Sequence, residues 1–262
     1  METRNSPAAY HKAMRTAILS DFHGNMAALE AVLADLKDAS PDLVVQGGDL
    51  AMGGHRPAEV VDRIRELGWP GVLGNTDEVL WSDESRAALE RSAPKLGPLL
   101  RMIFDDAAAT VDLLGQDRIA WLRSLPGEWH SSDAQVAVVH ASPGNLWRAP
   151  GPDGDEAELL ATYGRLGTRI VVYGHIHRPY VRPLQEFTVA NSGSVGTPHD
   201  GDPRPSYLLI EDGQVTIRRV EYDIERECSE FIASGYPHAE WLAEIRRRGA
   251  YVPPPSMASA GG

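Results

Sequence analysis

At five places this sequence sets a metal-ligating side chain just after a short apolar run. The first is Ser20-Asp21-Phe22-His23-Gly24-Asn25, which follows an apolar strand expected over 15–19. In an extended chain, residues two apart leave the same face, so the Asp21 carboxylate and the His23 imidazole are expected to converge. Such an oxygen and nitrogen pair suits a borderline divalent metal. Alone the pair is a weak signal, because Asp-x-His is common and Asn25 also serves as an N-cap for a following helix. The other turns carry Asp49 after Gly47-Gly48, Asn75 after Gly74, His140 after an apolar run, and His175 and His177 in Gly174-His175-Ile176-His177. Sites in open α/β sheets collect beyond the carboxyl ends of the strands, so these turns are expected to meet in space. Together they offer two carboxylates, one amide oxygen and four imidazoles, enough for two metals that share one bridging carboxylate. Gly24, Gly47, Gly48, Gly74 and Gly174 permit the tight turns and close backbone approach such a cluster needs.

The elements that must position these side chains follow from periodicity. Met26, Leu29, Val32, Leu33 and Leu36 recur at helical spacing and predict a helix over 25–39. Residues 42–46 form the second strand, with Leu43, Val44 and Val45 as its buried run. Pro57 opens a helix that Gly68 closes, and Val72 and Leu73 predict a brief third strand. Three strand–turn–helix units in series indicate a parallel sheet with helices on its faces. A helical insert is expected at about 78–126, with breaks at Pro94, Gly97-Pro98 and Gly115. Residues 127–132 and 135–139 read as a hairpin around Ser132-Asp133-Ala134. After a Pro/Gly-rich loop over 142–154, a helix at 155–165 leads to the strand 169–173, and short strands follow at 180–183, 186–190, 206–211 and 215–222. The main domain is therefore expected over 14–222, with a disordered leader at 1–13 and a C-terminal helical extension and flexible tail at 223–262. Met14 is a candidate start, and His11 is read as a tail histidine.

A net charge of −12 argues against general nucleic-acid backbone binding, which needs a basic surface. It leaves room for a small phosphorylated substrate, because bound metals supply positive charge locally. The lone cysteine, Cys228, excludes an intrachain disulfide and fits a reducing compartment. No apolar run approaches a membrane span and no signal-peptide h-region is found, so a cytoplasmic protein is expected. A homo-oligomer is left open.

The motifs Asp21-Phe22-His23, Gly48-Asp49, Gly74-Asn75-Thr76-Asp77, His140 and Gly174-His175-Ile176-His177 resemble the D-x-H, G-D, G-N-H-[DE], H and G-H-x-H pattern of the calcineurin-like metallophosphoesterase superfamily. His140-Ala141-Ser142-Pro143 and Asn191-Ser192-Gly193-Ser194-Val195-Gly196 are similar to its small prokaryotic phosphodiesterase branch. The likeness covers roughly 15–222. It implies an α/β fold, a four-layer αββα sandwich, with a dinuclear site at one edge. Asp21, His23 and His177 would hold one metal, Asn75, His140 and His175 the other, and Asp49 would bridge them. Asp49, Asn75 and His140 would thus stand at the catalytic centre. The implied reaction is phosphodiester hydrolysis by attack of a metal-bridging hydroxide. Two divalent transition-metal ions are expected, with manganese favoured and iron, zinc or nickel also suited to the donor set.

One position departs from the family pattern. The histidine that usually follows the asparagine of the third motif is Thr76, a hydroxyl that cannot act as a general acid near neutral pH. Asp77, without that partner, is read as a cap for the next helix. His55, Arg56, Thr76 and His199 are candidate substrate contacts, His199 standing where this branch often has arginine and thus a candidate replacement acid. Arg148 and Arg204 are candidate phosphate clamps, because guanidinium binds phosphate bidentately. His130 and His238 are read as structural, and Arg246-Arg247-Arg248 as a helix end favoured by the macrodipole. Two alternatives stand beside the phosphodiesterase. A phosphomonoesterase or protein phosphatase would use the same metals, with different cleft walls. A non-catalytic interaction scaffold, as in the retromer subunit of the superfamily, usually erodes the histidine ligands, and none is missing here.

Overall fold

The computed structural model describes residues 14–255. The leader expected at 1–13, with His11, and residues 256–262 of the expected tail lie outside the described residues. The chain runs β1 (Thr16–Leu19), α1 (Met26–Ala39), β2 (Leu43–Gln46), α2 (Pro57–Leu67), α3 (Asn75–Glu78), α4 (Asp83–Ser92) and α5 (Gly97–Arg123). It continues through β3 (Glu128–His130), β4 (Val136–Val139), α6 (Glu156–Tyr163), β5 (Ile170–Tyr173), β6 (Tyr180–Pro183) and β7 (Thr188–Asn191). The hairpin β8 (Ser206–Glu211) and β9 (Gln214–Arg219) precedes the helices α7 (Ile224–Ala233) and α8 (Ala239–Arg248). Asp212 and Gly213 both take positive φ in that hairpin, the backbone a tight two-residue turn requires.

The strands form two sheets, ordered β2-β1-β8-β9 and β3-β4-β5-β7-β6. In the first, β1 is parallel to β2 and antiparallel to β8. In the second, β4, β5 and β7 are parallel, and β3 and β6 close the edges antiparallel. Alternation along each strand decides the layers. Ile18, Val45, Leu208 and Ile210 meet Val136, Val138, Ile170 and Val172 in a core between the sheets. Ala17, Leu19 and Leu209 turn the other way, into a second core with residues of α1, α2 and α5. Ala137, Val139, Val171 and Tyr173 pack beneath Leu159 and Tyr163 of α6. The result is helix, sheet, sheet, helix: the four-layer αββα sandwich that the resemblance implies.

Two local features bear on the site. The third strand expected at Val72 and Leu73 does not form; only an isolated parallel bridge joins Gln46 to Gly71. Pro70 offers no N–H, and after Val72 bonds Gln46 the next N–H, of Leu73, turns away to the Pro126 carbonyl. In the stretch read as a helical insert, α4 buries no residue, whereas α5 sends Ala107, Leu114, Ile119 and Leu122 into the core under the first sheet. Gly115 breaks the run of α5 with φ 72° and ψ 166°.

Candidate metal centre

Each of the turns follows a strand, or the bridge at Gln46, and all of them lie at one edge of the sandwich. Their backbone is unusual. Asp21, His23, Asp49, His175 and His177 all have positive φ, between 48° and 64°. Non-glycine residues rarely adopt this region, and holding one there costs about 1–3 kcal/mol. Neighbouring backbone offsets the strain. The Asp21 N–H donates to Gly48 O, the Phe22 and His23 N–H groups to Asp49 O, and the Gly24 N–H to Leu50 O, all within 3.0 Å. The two ligand turns are thus zipped together. Asp21 and His23 do converge, but through this left-handed turn and not through the shared face of an extended strand.

The side chains gather into two sets. In one, His177 Nε2 lies 3.0 Å from Asp21 Oδ1 and 3.2 Å from His23 Nε2. In the other, Asn75 Oδ1 lies 2.7 Å from His140 Nε2 and 2.9 Å from His175 Nδ1. Asp49 stands between them, its Oδ2 3.7 Å from His23 Nε2 and its Oδ1 3.5 Å from His140 Nε2. The outward ring nitrogens are tied down. His23 Nδ1 donates to Met52 O at 2.7 Å, His140 Nδ1 to Gly47 O at 2.8 Å, and His177 Nδ1 to Thr197 O at 2.6 Å. With their protons so used, these rings turn bare lone pairs inward, at one another and at the oxygens of Asp21 and Asn75. Lone pairs facing each other near 3 Å repel unless a cation lies between, so the donor set fits divalent metal. Neutral imidazole, carboxylate and amide oxygen are also the donors such an ion selects.

The electrostatics of the cluster agree. Burial pushes the Asp21 carboxyl up, but His177, His140 and His23 together hold it below its usual range. Burial and then His177 lower His23, while burial and then His140 bring His175 down to about 4. His140 and His177 rise against their burial because of Asp49 and Asp21, respectively. Asp21 and Asp49 thus favour positive charge among these rings, as a divalent ion there would supply it.

The other candidates are placed as follows. Thr76 lies at the site: its N–H donates to Asp49 Oδ1 at 2.9 Å, and its hydroxyl is enclosed without a partner. His199 stacks on His177 with centroids 4.5 Å apart, and burial and then His177 press it down to about 2. His55 is turned to the C-terminal helices, its ring against Phe231 and its Nδ1 3.7 Å from Glu227 Oε1. Arg56 pairs with Glu59, and Arg204 with Asp202 and Glu221. Arg148 shares a cavity of about 430 Å³ with His175, Ser142, Trp147 and Glu158. His130 is exposed, and His238 faces Asp105 at 3.3 Å.

Asp77 corrects a sequence expectation. Ser82 caps the following helix, while the buried Asp77 carboxylate accepts the N–H groups of Leu50 and Ala51 at 3.1 and 3.2 Å. A fully buried acceptor finds backbone donors across the turn before it finds a helix end. Its role is to hold the loop that carries Asp49, and burial and then the Asp49 charge push it up to about 7. Sequence reasoning missed Gln46, whose Oε1 takes the Gly48 N–H at 2.7 Å, and Ser194, whose Oγ donates to Asp21 O at 2.7 Å. A polar residue ending a buried strand, as Gln46 does, was the available signal.

Comparison with known proteins bears on this geometry. The sequence profile of the calcineurin-like phosphoesterase superfamily domain matches residues 14–213. An uncharacterised protein of Methanocaldococcus jannaschii is 30% identical over 249 residues, spanning 87% of this chain and 95% of that protein. Among solved structures, a metallophosphoesterase from Sphaerobacter thermophilus superposes with a TM-score of 0.73 at 28% identity, over 91% of this chain and 100% of that one. A hypothetical protein from Pyrococcus horikoshii shares the fold, with a TM-score of 0.76 at 20% identity over 91% and 99% of the two chains. Sheets, ligand turns and kinship lead to one family: this chain belongs to the calcineurin-like phosphoesterase superfamily and carries a buried cluster suited to divalent metal.

Proposed function

We propose that this chain is a dinuclear metal-dependent phosphoesterase that hydrolyses phosphodiester bonds of a small phosphorylated substrate. The observation that carries the reading is Asp49, whose two oxygens face two ligand sets with no other residue in common. Asp21, His23 and His177 would hold one ion, Asn75, His140 and His175 the other, and Asp49 both. Manganese is favoured, and iron, zinc or nickel suit the same donors. When bound, such ions would supply Lewis acidity toward phosphoryl oxygens and lower the pKa of bound water.

The chain's own contribution is placement and proton control. The bonds from His23, His140 and His177 to carbonyls fix each ring before substrate arrives. Thr76 aims the Asp49 carboxylate through its backbone N–H. His175 is the one ligand only half buried, and it opens into the cavity shared with Trp147 and Arg148. We place the ester group there, with Arg148 free to meet a phosphoryl oxygen. Neither Thr76 nor His199, flat against His177, offers a proton to the departing oxygen. The reading includes a cytoplasmic location, in keeping with the lone buried cysteine. Among the described residues no helix is long and apolar enough to cross a membrane.

The test is elemental analysis beside a metal-supplemented comparison of bis(p-nitrophenyl) phosphate with p-nitrophenyl phosphate. Two ions per chain, faster diester hydrolysis and loss of turnover on chelation are expected. A chain that stays metal-free at saturating Mn²⁺ sinks the dinuclear reading. Faster monoester hydrolysis would favour a phosphomonoesterase, and bound metal without turnover would favour a scaffold.

A further inference from the structure

We propose that Arg246, near the end of α8, is a positioning residue for the metal centre, acting through the backbone of His23. The inference rests on the metal-centre reading and concerns a segment beyond the 14–213 family match. Arg246 is 1% exposed and the largest of the fully buried side chains. A buried guanidinium needs its charge and its N–H groups answered. Nη1 donates to Glu227 Oε1 at 2.8 Å, and the Phe231 ring covers the plane with its centroid 4.2 Å from Cζ. Glu227 could have answered the charge alone. Instead, Nη2 crosses to the site, donating to the carbonyls of His23 at 3.2 Å and Gly53 at 3.0 Å.

Those two carbonyls bracket the orientation of a ligand. His23 sits at φ 48°, and its Nδ1 donates to the carbonyl of Met52, next to Gly53. The Gly53 N–H in turn donates to the Tyr236 hydroxyl at 3.3 Å, a second tie to the C-terminal segment. The planar fork therefore joins the backbone of a ligand to the loop that aims its ring, a task suited to guanidinium geometry. Close packing leaves that backbone little play, since a Cβ on Gly54 would lie 2.2 Å from His23 O. His55, Glu227 and Glu230 also present ligand atoms to one another. There the Arg246 guanidinium already fills the cationic role, and Arg56 adds positive charge beside His55. The cluster is a clamp and not another metal site.

Removing Arg246 alone strands the Glu227 carboxylate, so the informative variant pairs Arg246→Met with Glu227→Gln and removes both charges. Full-length metal-free protein is titrated with Co²⁺ alone and followed by d–d absorption. The wild type is expected to take up two equivalents. The double variant should melt cooperatively yet bind one equivalent about 10–100-fold more weakly. Without metal, the His23 Nδ1 proton should give a slowly exchanging NMR signal in the wild type and lose it in the double variant. Arg246→Lys should still fold and melt cooperatively, because its ammonium still meets Glu227. It should not keep the Co²⁺ affinity, because a point-like cation cannot span the carboxylate and both carbonyls. This variant carries the test if the double variant does not fold. Wild-type Co²⁺ affinity with an unchanged His23 signal, in either variant, overturns the proposal. A wild type that binds no Co²⁺ sinks the metal-centre reading instead, and the His23 signal still decides the clamp.

Discussion

Asp49 keeps two oxygens turned to two different partners, and an amide cannot do both. Asp49→Asn preserves shape but directs an NH₂ group at either His23 or His140. We expect metal content to fall to one ion or none and turnover to drop more than about 100-fold. The fold itself should change little in stability, because losing the Asp49 charge relieves Asp77 but deprives His140 of an opposite charge. Elemental analysis and melting of the metal-free protein check both halves. Thr76 carries a prediction of another kind. Its enclosed hydroxyl leaves the departing oxygen without a strong donor, so rate should depend steeply on leaving-group acidity. General acid catalysis is worth about 10²–10⁴-fold, and alkyl esters should lag aryl esters by a deficit of that order. Thr76→His should flatten the dependence. A shallow wild-type dependence that steepens in His199→Ala would identify His199 as the acid and overturn this expectation.

At the scale of elements, the turns between strand and helix decide whether the ligands meet. Gly174 has an ordinary negative-φ backbone, so alanine there is opposed by packing alone: its Cβ would lie 2.1 Å from Ser20 Oγ and 2.4 Å from Asp21 Oδ2. Gly174→Ala is expected to displace the Asp21 carboxylate and abolish binding of at least one ion while the protein still folds. Metal analysis of the purified variant checks it, and an unchanged metal content would show that Ser20 yields instead. These turns were readable because each sets a ligand type just after a short apolar run, a strictly local signal. The hairpin at Asp212-Gly213 and the breaks at Pro94, Gly97-Pro98 and Gly115 were readable for the same reason. What sequence could not carry is long-range. Nothing near Asp77 shows that its acceptor is answered by Leu50 and Ala51. Arg246 reads as a favourable helix end until its contact with His23, 223 positions away, is known. The left-handed φ of five candidate ligands is not local information either, because it is held by bonds to neighbouring turns.

Across the whole molecule, the first sheet and its loops supply Asp21, His23, Asp49 and Asn75, whereas the second supplies His140, His175 and His177. The centre therefore straddles the seam between two sheets that share one apolar core. His23 and His177 lie 154 positions apart and come within 3.2 Å. Closing so long a loop costs chain entropy that only completed packing repays. The ligand set thus marks time: it is whole only once the seam has shut. An ion that recognises the finished set has nothing to grip in the folding transition state and should act on the way out. At free Mn²⁺ of 100 times Kd the gain in stability corresponds to about a 100-fold shift in the folding equilibrium. Stopped-flow chevrons should show nearly all of it as slower unfolding, with the folding limb unmoved. A faster folding limb would mean that the sheets dock early, with the seam already closed at the barrier.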